Sequence, residues 1–129
     1  MFTKKEGVTN LKHLIDTILK HTSLQTTREF VEGLVCSHLE CAEEIYKDGV
    51  LVGYFLLFSF CGSKSFHGYK LIEGYGVRAF RYAKEFIAKH KASSLETTTD
   101  QTKVVRIAKM LGFLETRRVS NLIAFGRTV

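Results

Sequence analysis

LIEGYGVRAFRYAKEF, residues 71–86, joins the end of an apolar strand to the start of an amphipathic helix through the pair Gly74 and Gly76. Glycines lack a Cβ, so the backbone here can come close to a ligand. The first turn of the helix leaves N–H groups without intrahelical partners. Together these features make an anion cradle, and the positive end of the helix adds attraction. Arg78, Arg81 and Lys84 follow within two turns and suit charge-assisted bonds to phosphate. The same pattern also serves as a plain turn before a helix whose charged face meets water, so the neighbouring elements have to decide its use.

Upstream, Leu11, Leu14, Ile15, Ile18 and Leu19 recur at helical spacing behind Thr9 and Asn10, which predicts a helix over 10–21. Thr26 with Glu29 resembles a capping box, and Phe30, Val31, Leu34 and Val35 give a second helix its apolar face. The chain is therefore expected to open with two helices. Asp48-Gly49 lies between two β-rich runs, as in tight hairpins where both central residues take positive φ. The run 50–60 is apolar almost throughout, as in a central strand covered on both faces. A third strand falls within Ser65 to Ile72.

Downstream, Phe80, Ala83, Ile87 and His90 line one side of a helix over 77–91. SSLETTT reads as a strand, Asp100 as the cap of a further helix, and Gly112 as its stop. The last residues form one or two strands with Asn121 near the bend. Hairpins followed by a β-helix-β-helix-β tail predict an α/β (α+β) fold, a mixed and mostly antiparallel sheet flanked by helices on both faces. The chain, 1–129, is expected to form a single domain.

Charge divides unevenly along the chain. Residues 1–64 carry seven Lys/Arg against eight Asp/Glu, whereas residues 65–129 carry twelve against five. The basic half is the candidate for meeting an anion, either nucleic acid or a phosphate-bearing cofactor. The longest apolar run falls far short of the ~20 residues that span a bilayer, so no membrane partner is expected. No secretory signal is read at the start, and three cysteines, an odd number, suit a reducing, cytoplasmic setting.

The strand, Gly-x-Gly turn and helix, followed by a second helix ending in Gly112-Phe113, resemble the GNAT superfamily of acyl-CoA N-acyltransferases over roughly residues 43–129. The overall look is similar to short, divergent members found in tailed-phage genomes. The family's loop reads Gln/Arg-x-x-Gly-x-Gly/Ala and holds the coenzyme A pyrophosphate on its backbone amides. Leu71-Ile72-Glu73-Gly74-Tyr75-Gly76 occupies the matching place, with Leu71 where Gln or Arg is usual. The resemblance assigns cofactor contacts to Leu71, Ile72, Gly74, Tyr75, Gly76, Val77 and Arg78. It also implies that the strands on either side splay apart to admit the pantetheine arm. Counting back from Gly112-Phe113, Gln101 stands where the family has Asn, Val104 where it has Ala, and Ala108 where it has a tyrosine general acid.

Acyl transfer to an amine needs a base and donors for the oxyanion. Glu73 and Glu96 are the candidate carboxylates, with Tyr75 or Tyr82 as alternative acids. Cys36, His38 and Cys41, with Cys61 or His67 as a further member, are ligand types for zinc, but their spacing fits no closed site, and no metal is expected. The leading reading is an acetyltransferase using acetyl-CoA, with a primary amine on a small molecule or protein as acceptor and a homodimer left open. The alternatives are a GNAT-like binding module without catalysis, acting on a host factor or in a virion, and a basic nucleic-acid-binding protein.

Overall fold

A computed structural model describes residues 1–21, 26–71 and 76–128. The chain runs β1 (Phe2–Glu6), α1 (Leu11–His21), α2 (Arg28–His38), β2 (Leu39–Lys47), β3 (Val50–Phe60) and β4 (Ser63–Lys70). It continues through α3 (Gly76–His90), β5 (Ser94–Thr98), α4 (Thr102–Met110), β6 (Leu114–Val119) and β7 (Leu122–Gly126). The strands form one sheet in the order β1-β2-β3-β4-β5-β7-β6. All neighbours are antiparallel except β4 and β5, which are parallel. This is the mixed sheet with helices on both faces that the pattern predicts.

β3 is the wall shared by both cores, as its apolar run requires. Tyr54, Leu56 and Phe58 turn to α1 and α2, where Leu14, Ile15, Ile18, Val31 and Val35 cover them. Phe55 and Leu57 turn to α3 and α4 and pack with Ala83, Phe86, Ile87 and Ala108. Phe55, Phe66 and Phe86 form a triangle of rings with centroids 5.6 to 5.9 Å apart, the offset geometry that aromatic pairs prefer.

α1 is seated by a buried acid. Glu44 of β2 accepts from the Thr9 N–H at 2.9 Å, the Thr9 hydroxyl at 2.7 Å and the Tyr46 hydroxyl at 2.9 Å. Burial raises the Glu44 pKa, but these donors outweigh it and hold the carboxyl below its ordinary value. The hairpin turn is as expected, with φ of 51° at Asp48 and 81° at Gly49.

Three expectations need correction. The chain opens with a strand, because β1 pairs with β2 from Phe2 and Lys47 to Glu6 and Glu43. The segment FTKKE buries neither face, so it lacks the apolar alternation that marks a strand. The cap of α2 is Thr27, whose hydroxyl accepts from the Phe30 N–H at 3.1 Å, and Phe30 itself is exposed. Asp100 does not cap α4 but accepts from the Thr98 hydroxyl, and the N-cap position is Gln101.

The end of α4 behaves as its sequence says. Gly112 has φ of 93° and donates to the Lys109 carbonyl at 3.1 Å, and Phe113 donates to the Ala108 carbonyl at 3.0 Å. That is a Schellman stop, and it drives Phe113, fully buried, into the core shared with α3. At the far edge of the sheet β6 is exposed along its whole length, with a bulge between Glu115 and Arg117. Urea unfolding should show Gly112→Ala costing about 1 kcal/mol, because a Cβ is disfavoured in the left-handed region. Phe113→Ala should cost about 3 to 5 kcal/mol through the cavity it leaves.

Candidate functional site

β4 and β5 meet at a single residue pair, Ser65 with Ser94. The junction is tied by Ser93 N–H to the Lys64 carbonyl at 2.8 Å and Lys64 N–H to the Ser93 hydroxyl at 3.1 Å. Ser63 and Ser94 hydroxyls lie 3.2 Å apart beside it. Beyond this knot each strand stays paired on its outer side, β4 with β3 to Lys70 and β5 with β7 to Thr98. No further residue pair joins β4 to β5 among the described residues. The inner edges therefore bound a wedge that opens toward the ends where α3 and α4 begin.

The Leu71 N–H donates to the Val52 carbonyl at 2.9 Å and sets the alternation of the β3–β4 ladder. Odd-numbered residues of β4 face β3 with their backbone groups, so the N–H of Gly68 turns toward the wedge. The side chains alternate as well. Phe66 joins the α3/α4 core, while His67 and Tyr69 belong to the face turned to α1 and α2.

His67 Nε2 lies 3.2 Å from the Ser65 hydroxyl, and its ring meets Phe58 edge-on at 5.1 Å. Burial disfavours the charged imidazole and pulls its pKa down to about 4. Tyr69 sits edge-on to His21 at 5.8 Å, and burial pushes its pKa up to about 12. On β5, Leu95 enters the α3/α4 core and Glu96 is exposed on the opposite face.

α3 begins at Gly76, so the N–H groups of its first turn lack intrahelical partners. Arg78, Arg81 and Lys84 are exposed, and no acid pairs with any of them among the described residues. The far end of the helix is different, since Lys89 pairs with Glu6. Ile72, Glu73, Gly74 and Tyr75, all expected in the site, lie outside the described residues. Leu71 uses its amide within the sheet and packs its side chain against the α1/α2 cluster.

The remaining candidates separate. Gln101 donates its N–H to the Thr98 carbonyl at 3.0 Å and accepts from the Val105 N–H at 3.0 Å, and its exposed side chain makes no cap bond. Ala108 is fully buried in the core and offers no hydroxyl. The Tyr82 hydroxyl donates to the Phe2 carbonyl at 3.1 Å, beside β1 and away from the wedge, which removes it as an acid. Cys36, Cys41 and Cys61 are free thiols, and no three metal-ligating side chains cluster among the described residues. His67, read from the sequence only as a zinc-ligand type, and Tyr69 are the β4 side chains beside the gap that the sequence does not point to. Ser65, His67 and Tyr69 alternate with Phe66 and Gly68, a period-2 signal that becomes legible once the strand is known to border a gap.

No protein-family model matches this sequence, and no curated protein matches it. Solved structures match its fold over nearly the whole chain. The ribosomal-protein-S18-alanine N-acetyltransferase of Escherichia coli superposes with a TM-score of 0.70 at 10% identity, covering 98% of this chain and 93% of that one. A GNAT family acetyltransferase of Elizabethkingia anophelis with acetyl-CoA bound gives 0.71 at 13% identity, covering 99% and 98%. A Bacillus subtilis acetyltransferase in complex with CoA gives 0.71 at 13%, covering 100% and 99%. The chain thus has the GNAT fold.

The half-buried imidazole of His67 has a measurable consequence. An unfolded chain binds a proton at His67 below about pH 6.5, but the folded chain does so only near pH 4. Stability from this group is therefore complete above pH 6.5 and lost as the pH falls to about 4, on the order of 2 to 3 kcal/mol. A proton NMR titration should place the His67 midpoint near 4, and His67→Phe should flatten the acid side of the stability curve.

Proposed function

We propose that this chain acts as one unit that transfers an acetyl group from acetyl-CoA to a primary amine on a small molecule or protein. The observation that carries this reading is the parting of β4 and β5 after Ser65 and Ser94. A flat sheet would hold these edges together, whereas a wedge lined by free main-chain groups suits a pantetheine arm, whose amides seek strand-like partners. The pyrophosphate would rest on the amides around Gly74, Gly76, Val77 and Arg78, with Ile72 and Tyr75 completing the loop and Arg78, Arg81 and Lys84 neutralising charge. Gln101, at the start of α4, would border the opposite bank.

In this reading the Gly68 N–H faces the thioester carbonyl and stabilises the oxyanion as it forms. Glu73 and Glu96 are the carboxylates that could relay the amine proton, and Tyr75 is the hydroxyl that could protonate the departing thiolate. Solved structures of the same fold with acetyl-CoA or CoA bound support the choice of donor.

The enclosure of Ala108 favours a second reading, in which the wedge binds an acyl-CoA without turning it over. Titration calorimetry separates both from a protein with no such site. Acetyl-CoA should bind saturably, and Gly76→Glu should weaken it about 100-fold or more by setting a carboxylate in the cradle. Failure to bind at millimolar acetyl-CoA would overturn both readings, and binding without acetyl transfer to any amine would leave the second.

A further inference from the structure

β6 closes the sheet as an edge strand that no other described element covers. All of its residues are exposed, and Leu114 and Val119 keep 74% and 57% of their surface. An open strand edge is a template for another strand, and proteins ordinarily guard it with charge and bulges. β6 carries both, the pair Glu115 with Arg118 and the bulge between Glu115 and Arg117.

The direction of its free main-chain groups follows from β7. The Arg127 N–H donates to the Ser93 carbonyl at 3.0 Å, and the Asn121 carbonyl accepts from the Thr99 N–H at 2.8 Å. Odd-numbered residues of β7 therefore turn their backbone groups to β5. Leu122, Ala124 and Gly126 turn theirs to β6, where they meet Val119, Arg117 and Leu114. Glu115 and Arg118, opposite Phe125 and Ile123, are left with N–H and C=O groups directed outward. The extra residue of the bulge, Thr116, lies between them. Their side chains share the face of Phe125 and Ile123, and Arg118 Nη2 lies 2.7 Å from Glu115 Oε1.

We propose that β6 pairs antiparallel with β6 of a second copy of this chain, about a two-fold axis between Thr116 and Arg117. In this register Glu115 of each copy meets Arg118 of the other, so the outward main-chain groups find partners and the side chains meet opposite charge. The residues that guard the edge against other strands thus attract their own kind. On the opposite face Leu114 meets Val119, which buries two apolar side chains that a single copy exposes. The register is specific, because a slip of two residues toward the turn at Ser120 would set Arg117 against Arg118. Two seven-stranded sheets become one continuous sheet. An edge this short buries less than the ~1,000 Å² of a stable interface, so the dimer forms with Kd in the range of roughly 1 to 100 μM.

Sedimentation equilibrium between about 5 and 300 μM should show the wild type passing from monomer to dimer. Arg118→Glu and Glu115→Arg each set like charges opposite one another at both symmetry-related contacts, and each alone should weaken the dimer about 100-fold or more. Mixed in equal amounts, the two variants regain opposite charge at both contacts and should form a heterodimer near wild-type affinity. Circular dichroism checks that each variant keeps its fold, as exposed positions permit. In the wild type, the Glu115 and Arg118 amides should exchange with solvent more slowly as the protein concentration rises. A wild type that stays monomeric at about 300 μM overturns the proposal, whether water or a strand of another protein occupies the edge. Single variants that still dimerise, a mixture that stays monomeric, or exchange at Glu115 and Arg118 that ignores concentration would overturn it as well.

Discussion

In a seven-stranded sheet, main-chain hydrogen bonding asks each strand to join its neighbour along its length, and four antiparallel pairs beyond the first hairpin comply. β4 and β5 stop after Ser65 and Ser94. An amide left dry and unpaired costs about 1 to 3 kcal/mol, so the open edges must meet water or a ligand. The serine and lysine bonds around residues 63, 64, 93 and 94 limit that cost to the open end and keep the closed end fixed. The orientation of Gly68, the face taken by His67 and the position of α3 all follow from this arrangement.

The two sides of the sheet differ in electrostatic character at the wedge. On the α3 side, Arg78, Arg81 and Lys84 are exposed without acidic partners among the described residues, close to a helix N-terminus that adds positive potential. On the α1 and α2 side, His67 and Tyr69 are held in their uncharged forms by burial. Their neutrality has the same origin as the packing of Phe58 and Tyr54 beneath α1, because rings that exclude water also penalise charge.

Much of the architecture is legible in the sequence. The apolar run through β3, the Asp48-Gly49 turn and the Gly112 stop each carry a local physical signal, and each element forms as read. β1 was not legible, because Phe2 is its only apolar residue and it is held by main-chain pairing with β2. The helix caps were misplaced by one residue, which short Thr and Asp side chains permit, since Thr26 and Thr27, or Asp100 and Gln101, differ only in which backbone turn comes first. At the candidate site, the basic residues at the start of α3 could be read. The place of His67 beside the gap could not, because it depends on the strand register and on a gap between strands distant in sequence.

The serine knot also makes the sheet mechanically two panels. One comprises β1 to β4 and the other β5 to β7, and between the strands themselves the bonds at residues 63 to 65 and 93 to 94 span the seam. The panels are coupled instead by the core beneath α3 and α4, which joins Phe55 and Phe66 of one to Leu95 and Phe125 of the other. A molecule gripping both open edges would add a second fastener to a seam that side-chain packing otherwise holds.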